Sequence, residues 1–231
     1  MSQICDNFKR VRERIAHATL RARRNPQDIQ LVVVSKTIDR VKIRQVIETG
    51  ATILGENYVQ EARNKIKEFG QGVRWDFIGH LQSNKAKYAV DLFEMIHSVD
   101  RLSLAKEINR IAEKRSKKVR VLIQVNISGE EAKSGIDPEG VSPLVRKVAS
   151  MNNLSLEGLM TMPPYFDDPQ KARPYFIALR ELRDKILGEG SENINLKELS
   201  MGMSGDFEVA IEEGSTMVRI GTAIFGERPP K

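Results

Sequence analysis

Short apolar, often β-branched runs alternate with longer charged segments along nearly the whole chain. Eight runs stand out, at residues 29–34, 52–54, 75–78, 93–97, 119–125, 155–160, 198–201 and 217–220. They lack long polar/apolar alternation, so they predict strands buried on both faces, as in a parallel sheet. The segments between them carry apolar residues three and four apart, such as Val41, Ile43, Val46, Ile47 and Leu104, Ala105, Ile108, Ile111, Ala112. That spacing predicts amphipathic surface helices. Regular strand and helix alternation implies right-handed βαβ units. Eight units without a long insertion favour an α/β fold closed into a (β/α)8 TIM barrel, with an open doubly wound sheet as the alternative. An extra N-terminal helix, residues 7–23, precedes the first strand, with Phe8, Val11, Ile15 and Ala18 on one side. It is expected to cap or plug the bottom of the barrel. Residues 163–174 (Pro-rich) and 187–195 (Gly/Ser/Asn-rich) read as loops.

Composition narrows this picture. The 231 residues, 40% hydrophobic and 29% charged, describe a folded globular chain. Barrels of roughly 200–250 residues fold as one unit, so residues 1–231 are expected to form a single domain with no room for a second catalytic one. The 37 Lys+Arg against 31 Asp+Glu give a formal net charge of +6, which favours anionic ligands on average. One cysteine, Cys5, excludes an internal disulfide and multi-cysteine metal sites within the chain. His17, His80 and His97 lack metal-ligand spacing, so no metal is expected. Neither a signal-peptide core nor a membrane-length apolar run is present, which predicts a soluble cytoplasmic protein with no membrane partner. The basic stretches at 9–24 and 114–120 are interrupted by acidic residues and read as solvated faces, not as a nucleic-acid interface.

Functional groups of a (β/α) barrel sit at the carboxyl ends of its strands, and a phosphate is often held after strands seven and eight. Lys36 ends the most apolar run of the chain. Desolvation there favours a neutral amine able to form a Schiff base, although a snorkelling lysine is the plain alternative. Ser200 to Asp206, followed by Gly221 and Thr222, offers glycines and hydroxyls suited to a phosphate cup, or else ordinary turns. Arg219 lies within the last strand, where a buried cation requires an acceptor: a structural carboxylate, or the ring nitrogen of a heterocycle. An amine, a phosphate cup and that arginine together describe pyridoxal 5′-phosphate (PLP).

The motifs around these residues are Val-Val-Ser-Lys36-Thr, Gly55-Glu-Asn57-Tyr-Val-Gln-Glu61, Phe77-Ile-Gly79-His-Leu-Gln82-Ser-Asn84-Lys85, Gln124-Val-Asn126-Ile-Ser, Lys133-Ser-Gly135, Gly158-Leu-Met160, and Leu199-Ser-Met-Gly-Met-Ser204 through Arg219-Ile-Gly-Thr222-Ala-Ile-Phe-Gly226. In order and over nearly the full chain, they resemble the PLP-binding proteins of vitamin B6 homeostasis, the YggS/PROSC-type family. The resemblance implies a fold type III barrel similar to the N-terminal domain of alanine racemase, with PLP as a Schiff base on Lys36 and Arg219 at the pyridine nitrogen. It implies Ser200, Ser204, Gly221 and Thr222 at the phosphate, and Asn57 and Met203 lining the cofactor. It marks Lys133 as a second lysine able to engage or receive PLP. Asp76 departs from the family pattern, where many members have histidine. The departure is expected to alter a local hydrogen bond and leave the cofactor residues untouched.

The resemblance further implies a non-catalytic monomer that buffers PLP or delivers it to PLP-requiring apoenzymes. The alternative is a small racemase-like PLP enzyme. The racemase mechanism requires a second domain bearing a tyrosine base, and none of Tyr58, Tyr88, Tyr165 and Tyr175 can be assigned to that role from spacing. An arginine at the ring nitrogen also makes a weak electron sink, because it stays protonated and gives up no proton.

Overall fold

The computed structural model describes residues 2–70, 72–130, 133–190 and 194–227. Its strands are β1 Gln30–Val34, β2 Ile53–Glu56, β3 Arg74–Phe77, β4 Met95–Val99, β5 Val119–Gln124, β6 Leu154–Met160, β7 Glu198–Ser200 and β8 Met217–Ile220. They pair in sequence order, all parallel, and β8 closes on β1, so the sheet is the expected barrel and the open alternative is excluded. The helices are α1 Gln3–Arg21, α2 Arg40–Glu48, α3 Val59–Phe69, α4 Ala86–Leu92, α5 Leu102–Lys114, α6 Pro138–Ala149, α7 Arg173–Gly188, α8 Phe207–Glu212 and α9 Thr222–Phe225. No helix among the described residues is long and apolar enough to cross a membrane. The 163–174 segment is a loop that runs into a short 3-10 turn and the start of α7, while part of the 187–195 loop, residues 191–193, lies outside the described residues.

Period-two alternation divides each strand between two apolar cores. Val33, Leu54, Val121, Leu159, Leu199 and Val218 face the helix layer. Val32, Val34, Ile53, Met95, Leu122, Met160 and Met217 form a separate, smaller cluster inside the barrel. The same inward parity carries Gln30, Arg74, Asp76, His97, Ser200 and Arg219, so much of the barrel's interior is polar. Burying each large apolar side chain contributes about 1.5–3 kcal/mol, and Phe77, Phe176 and Phe207 are fully buried.

Helix α1 departs from expectation. It packs against α2, α8 and α9 in the outer layer and does not plug the barrel floor. Its apolar side matches the short last helices, and Asn7 Nδ2 donates to the Ile224 carbonyl at 3.1 Å. Arginines of α1 and of the turn after it are used there as well: Arg14 forks onto Glu208, Arg21 pairs with Glu212, and Arg24, past the helix end, donates to the Ile211 and Ser215 carbonyls. Arg115, in the second basic stretch, pairs with Asp91.

Strand β6 gains one residue relative to β5, since Val121 faces Leu156 while Leu122 faces Gly158. This bulge brings Gly158 hard against β7. A Cβ at that position would lie 2.6 Å from the Glu198 carbonyl carbon and closer still to its oxygen. Backbone cannot yield as a side chain can, so Gly158→Ala is expected to lower stability by about 3 kcal/mol or more, read as a fall in the denaturation midpoint.

Candidate functional site

Strand β1 delivers Lys36 two residues past its end. Val32 and Val34 point into the barrel, and Lys36, of the same parity, lies half-buried at the mouth. Thr37 follows with φ of 63°, a left-handed conformation that a β-branched residue adopts only under constraint. The constraint is visible. The Thr37 amide donates to Glu61 at 2.6 Å, Lys65 Nζ donates to Glu61 at 2.6 Å and to the Ser35 carbonyl at 2.6 Å, and it reaches Glu56 at 2.8 Å. Ser35 Oγ also donates to Glu56 at 2.7 Å. Both neighbours of Lys36 are thus clamped by one buried cluster behind the barrel wall. Burial pushes the Glu56 carboxyl above the usual carboxylate range, against the opposing pull of Lys65 and Ser35.

Lys36 lines a cavity of about 300 Å³ together with Val34, Met203, Ser204, Gly205, Asp206, Arg219, Gly221 and Thr222. Six of the eight expected cofactor residues therefore share one cavity. Ser204 Oγ accepts from the Gly221 amide at 3.3 Å and the Ala223 amide at 3.2 Å, which ties the β7 and β8 loops together and leaves its proton to donate outward. Helix α8 begins at Phe207, and Ser204–Asp206 form a turn closed by the Met203 amide on Asp206 Oδ1 at 2.6 Å. Burial raises the Asp206 carboxyl, opposed by the Met203 amide and by Arg219.

Arg219 is 3% exposed. Its Nη1 donates to Ser200 Oγ at 2.7 Å and its Nη2 to the Thr161 carbonyl at 2.8 Å. Neither acceptor is charged, and burial lowers its pKa to about 10, with Asp206 pulling the other way. The guanidinium stays protonated at neutral pH and keeps donors in reserve, since two of its five are used this way.

Ser200, expected at the phosphate, does not line this cavity. It is fully buried, bonded to Arg219 and to His97 Nδ1 at 3.0 Å, and stands outside the cavity lining. Asn57 lies outside it too, lining a second cavity of about 500 Å³ with Gln60, His80, Gln82 and Lys85, while its buried Oδ1 accepts no hydrogen bond among the described residues. Lys133 pairs with Glu130 at 3.0 Å in the loop after β5 and does not line the Lys36 cavity. Asp76 hydrogen-bonds two residues outside the expected cofactor set. Its carboxylate is held by both arms of Arg74 and by His97 Nε2 at 3.1 Å, so it reaches Arg219 through His97 and Ser200. Among the described residues no group of three or more His, Cys, Asp or Glu could hold a metal ion.

One wall of the cavity comes from residues outside every motif named above. Tyr165, Phe166, Pro169 and Ala172, from the loop between β6 and α7, line it. The signal was the pair of aromatics in a Pro-rich loop at the carboxyl end of a strand.

His97 makes the site pH-sensitive in a defined direction. Burial lowers its pKa, opposed by Asp76 and reinforced by Arg219 and Arg74. The unfolded chain takes up this proton near pH 6.5, roughly, and the folded protein only at lower pH. His97 therefore contributes stability that is full above that pH and is lost as pH falls below it. Denaturation in urea between neutral and mildly acidic pH is expected to show a shallower loss of stability for His97→Gln than for the parent.

The residue set fits PLP: an amine, a buried cation with unspent donors, and hydroxyl and amide donors around one cavity. Residues 5–229 match the family described as Alanine racemase, N-terminal domain. A pyridoxal phosphate homeostasis protein of Aquifex aeolicus is 47% identical over 225 residues, covering 97% of this chain and 98% of that one. PipY of Synechococcus elongatus PCC7942, solved with PLP bound, is 33% identical with a TM-score of 0.82, over 94% of this chain and 100% of that one. An alanine racemase of Clostridium difficile 630 shares the fold at 17% identity and a TM-score of 0.74, over 97% of this chain and 58% of that one.

Proposed function

We propose, because this chain belongs to the family of pyridoxal phosphate homeostasis proteins within the alanine racemase N-terminal domain family, that it binds PLP in vitamin B6 homeostasis and is not an enzyme. The observation that carries the reading is the convergence of Lys36, Arg219, Ser204, Gly221 and Thr222 on one cavity. PLP supplies an aldehyde that exchanges reversibly between amines. Lys36 is the amine that holds it covalently as a Schiff base, in the manner of fold type III proteins. Ser204, Gly221 and Thr222 take the phosphate, and Met203 borders the ring. Arg219 donates to the ring nitrogen without yielding a proton, which keeps the ring a poor electron sink and the cofactor chemically quiet.

In this reading residues 1–231 act as one cytoplasmic, monomeric barrel, PLP-requiring apoenzymes are the recipients, and Lys133 is a second lysine through which PLP passes. Turnover separates carrier from racemase. The PLP-loaded protein, incubated with L- and D-amino acids and followed by chiral chromatography, is expected to interconvert them no faster than free PLP. Sustained conversion above that background overturns the carrier reading in favour of a small racemase.

A further inference from the structure

A single hydrogen-bonded line crosses the barrel interior beneath the cavity. Arg74 holds Asp76 at 2.9 and 2.7 Å, Asp76 Oδ2 meets His97 Nε2 at 3.1 Å, His97 Nδ1 meets Ser200 Oγ at 3.0 Å, and Ser200 Oγ meets Arg219 Nη1 at 2.7 Å. Asp76, His97 and Ser200 are completely buried, so water cannot replace any link.

Valence fixes the direction of the line. A guanidinium only donates, so Ser200 Oγ accepts from Arg219, and among the described residues His97 Nδ1 is the one acceptor within reach of its proton. That nitrogen must then be bare, and the ring proton sits on Nε2, where the Asp76 carboxylate accepts it. The neutral Nε2–H tautomer satisfies every link. The line continues to the barrel floor: Arg74 Nη1 donates to Gln30 Oε1 at 2.8 Å, Gln30 Nε2 to Glu198 Oε1 at 3.1 Å, and Thr216 Oγ1 to Glu198 Oε2 at 2.6 Å. Each end is therefore anchored, and no side chain in the line is at liberty to rotate alone.

We propose that Asp76 and His97 are positioning residues for the ring-nitrogen contact, fixing the Arg219 guanidinium through Ser200 so that its unspent donors face the cavity. The proposal rests on the PLP reading above. A carboxylate touching Arg219 directly would occupy its donor fork, leaving fewer donors for a ligand. With His97 and Ser200 interposed, Asp76 orients the guanidinium from two residues away, and neutral acceptors alone hold it.

The test has two arms. In the cofactor-free protein, long-range ¹H–¹⁵N correlation of His97 at neutral pH is expected to show Nε2 protonated and Nδ1 bare. A Nδ1–H tautomer or an imidazolium there overturns the proposal whether or not PLP binds. In the second arm, Asp76→Asn, which can donate to Nε2 and so reverse the line, is expected to move His97 toward the Nδ1–H tautomer. It should weaken PLP binding about tenfold, the loss of roughly one charge-assisted hydrogen bond, while the borohydride-trapped adduct stays on Lys36. Ser200→Ala cuts the line by one atom and is expected to weaken PLP similarly, so the question stays answerable should Asp76→Asn not fold. Unchanged affinity in the folded variants overturns the positioning role. Failure of the parent protein to trap PLP at Lys36 counts instead against the PLP reading, and is told apart because the His97 tautomer is measured without cofactor.

Discussion

Lys36→Ala is expected to abolish the PLP adduct trapped by borohydride at that position, reducing it to background in a peptide map. Strand β1 carries the amine on Val32 and Val33, both fully buried, and clamps on both sides of Lys36 fix its base. The amine therefore borders the cavity from a rigid wall beside β8, where Arg219 stands in register with Val32. Removing this half-buried side chain leaves the clamps on Ser35 and Thr37 intact, so the variant is expected to fold. Arg219, Ser204 and Thr222 remain, and PLP should still associate, but weakly and without covalent trapping. An adduct map identical to that of the parent refutes the assignment, and a trapped adduct that persists only on Lys133 reassigns the primary site.

The largest expected effect on stability comes from Lys65→Met. Lys65 is 5% exposed and Glu56 is completely buried, and their contact at 2.8 Å is supplemented by Ser35 and Glu61. Deleting the ammonium leaves Glu56 buried with no cation, and its Oε2 already lacks a hydrogen-bond partner among the described residues. Breaking a buried pair from one side costs about 3–5 kcal/mol, much more than the pair contributes when intact. The same change frees the Ser35 carbonyl and slackens the strained Thr37 turn, so PLP trapping at Lys36 should weaken in parallel. Equilibrium urea denaturation checks the first effect. A midpoint within experimental error of the parent would show that Glu56 is protonated and content without Lys65. Arg110→Ala, which removes the exposed pair with Glu107, is the control and should leave the midpoint unmoved.

The barrel was legible because its strands are short, apolar and evenly spaced, and closure is the economical way to bury eight of them. The cavity was legible where chemistry sits at strand ends, as for Lys36, Ser204 and Thr222. The polar interior was not. Placing the end of the fourth strand at His97 put His97 at a boundary, whereas β4 runs on to Val99 and shares its inward parity between Met95 and His97. Arg74 and Asp76, polar at alternate positions beside Trp75 and Phe77, carried the signal of a polar inner face on β3. Ser200 looked like part of the glycine-rich turn that follows it, but it is the last residue of β7 and points inward with Arg219. Helix α1 was given the wrong place because periodicity reveals an apolar face and not its partner.

The most direct measurement is a crystal structure of the protein soaked with PLP. The account predicts continuous density from Lys36 Nζ into the cofactor, the ring nitrogen within hydrogen-bonding distance of Arg219, and the phosphate beside Ser204, Gly221 and Thr222. Density for PLP elsewhere, with the Lys36 cavity filled by water alone, would contradict it.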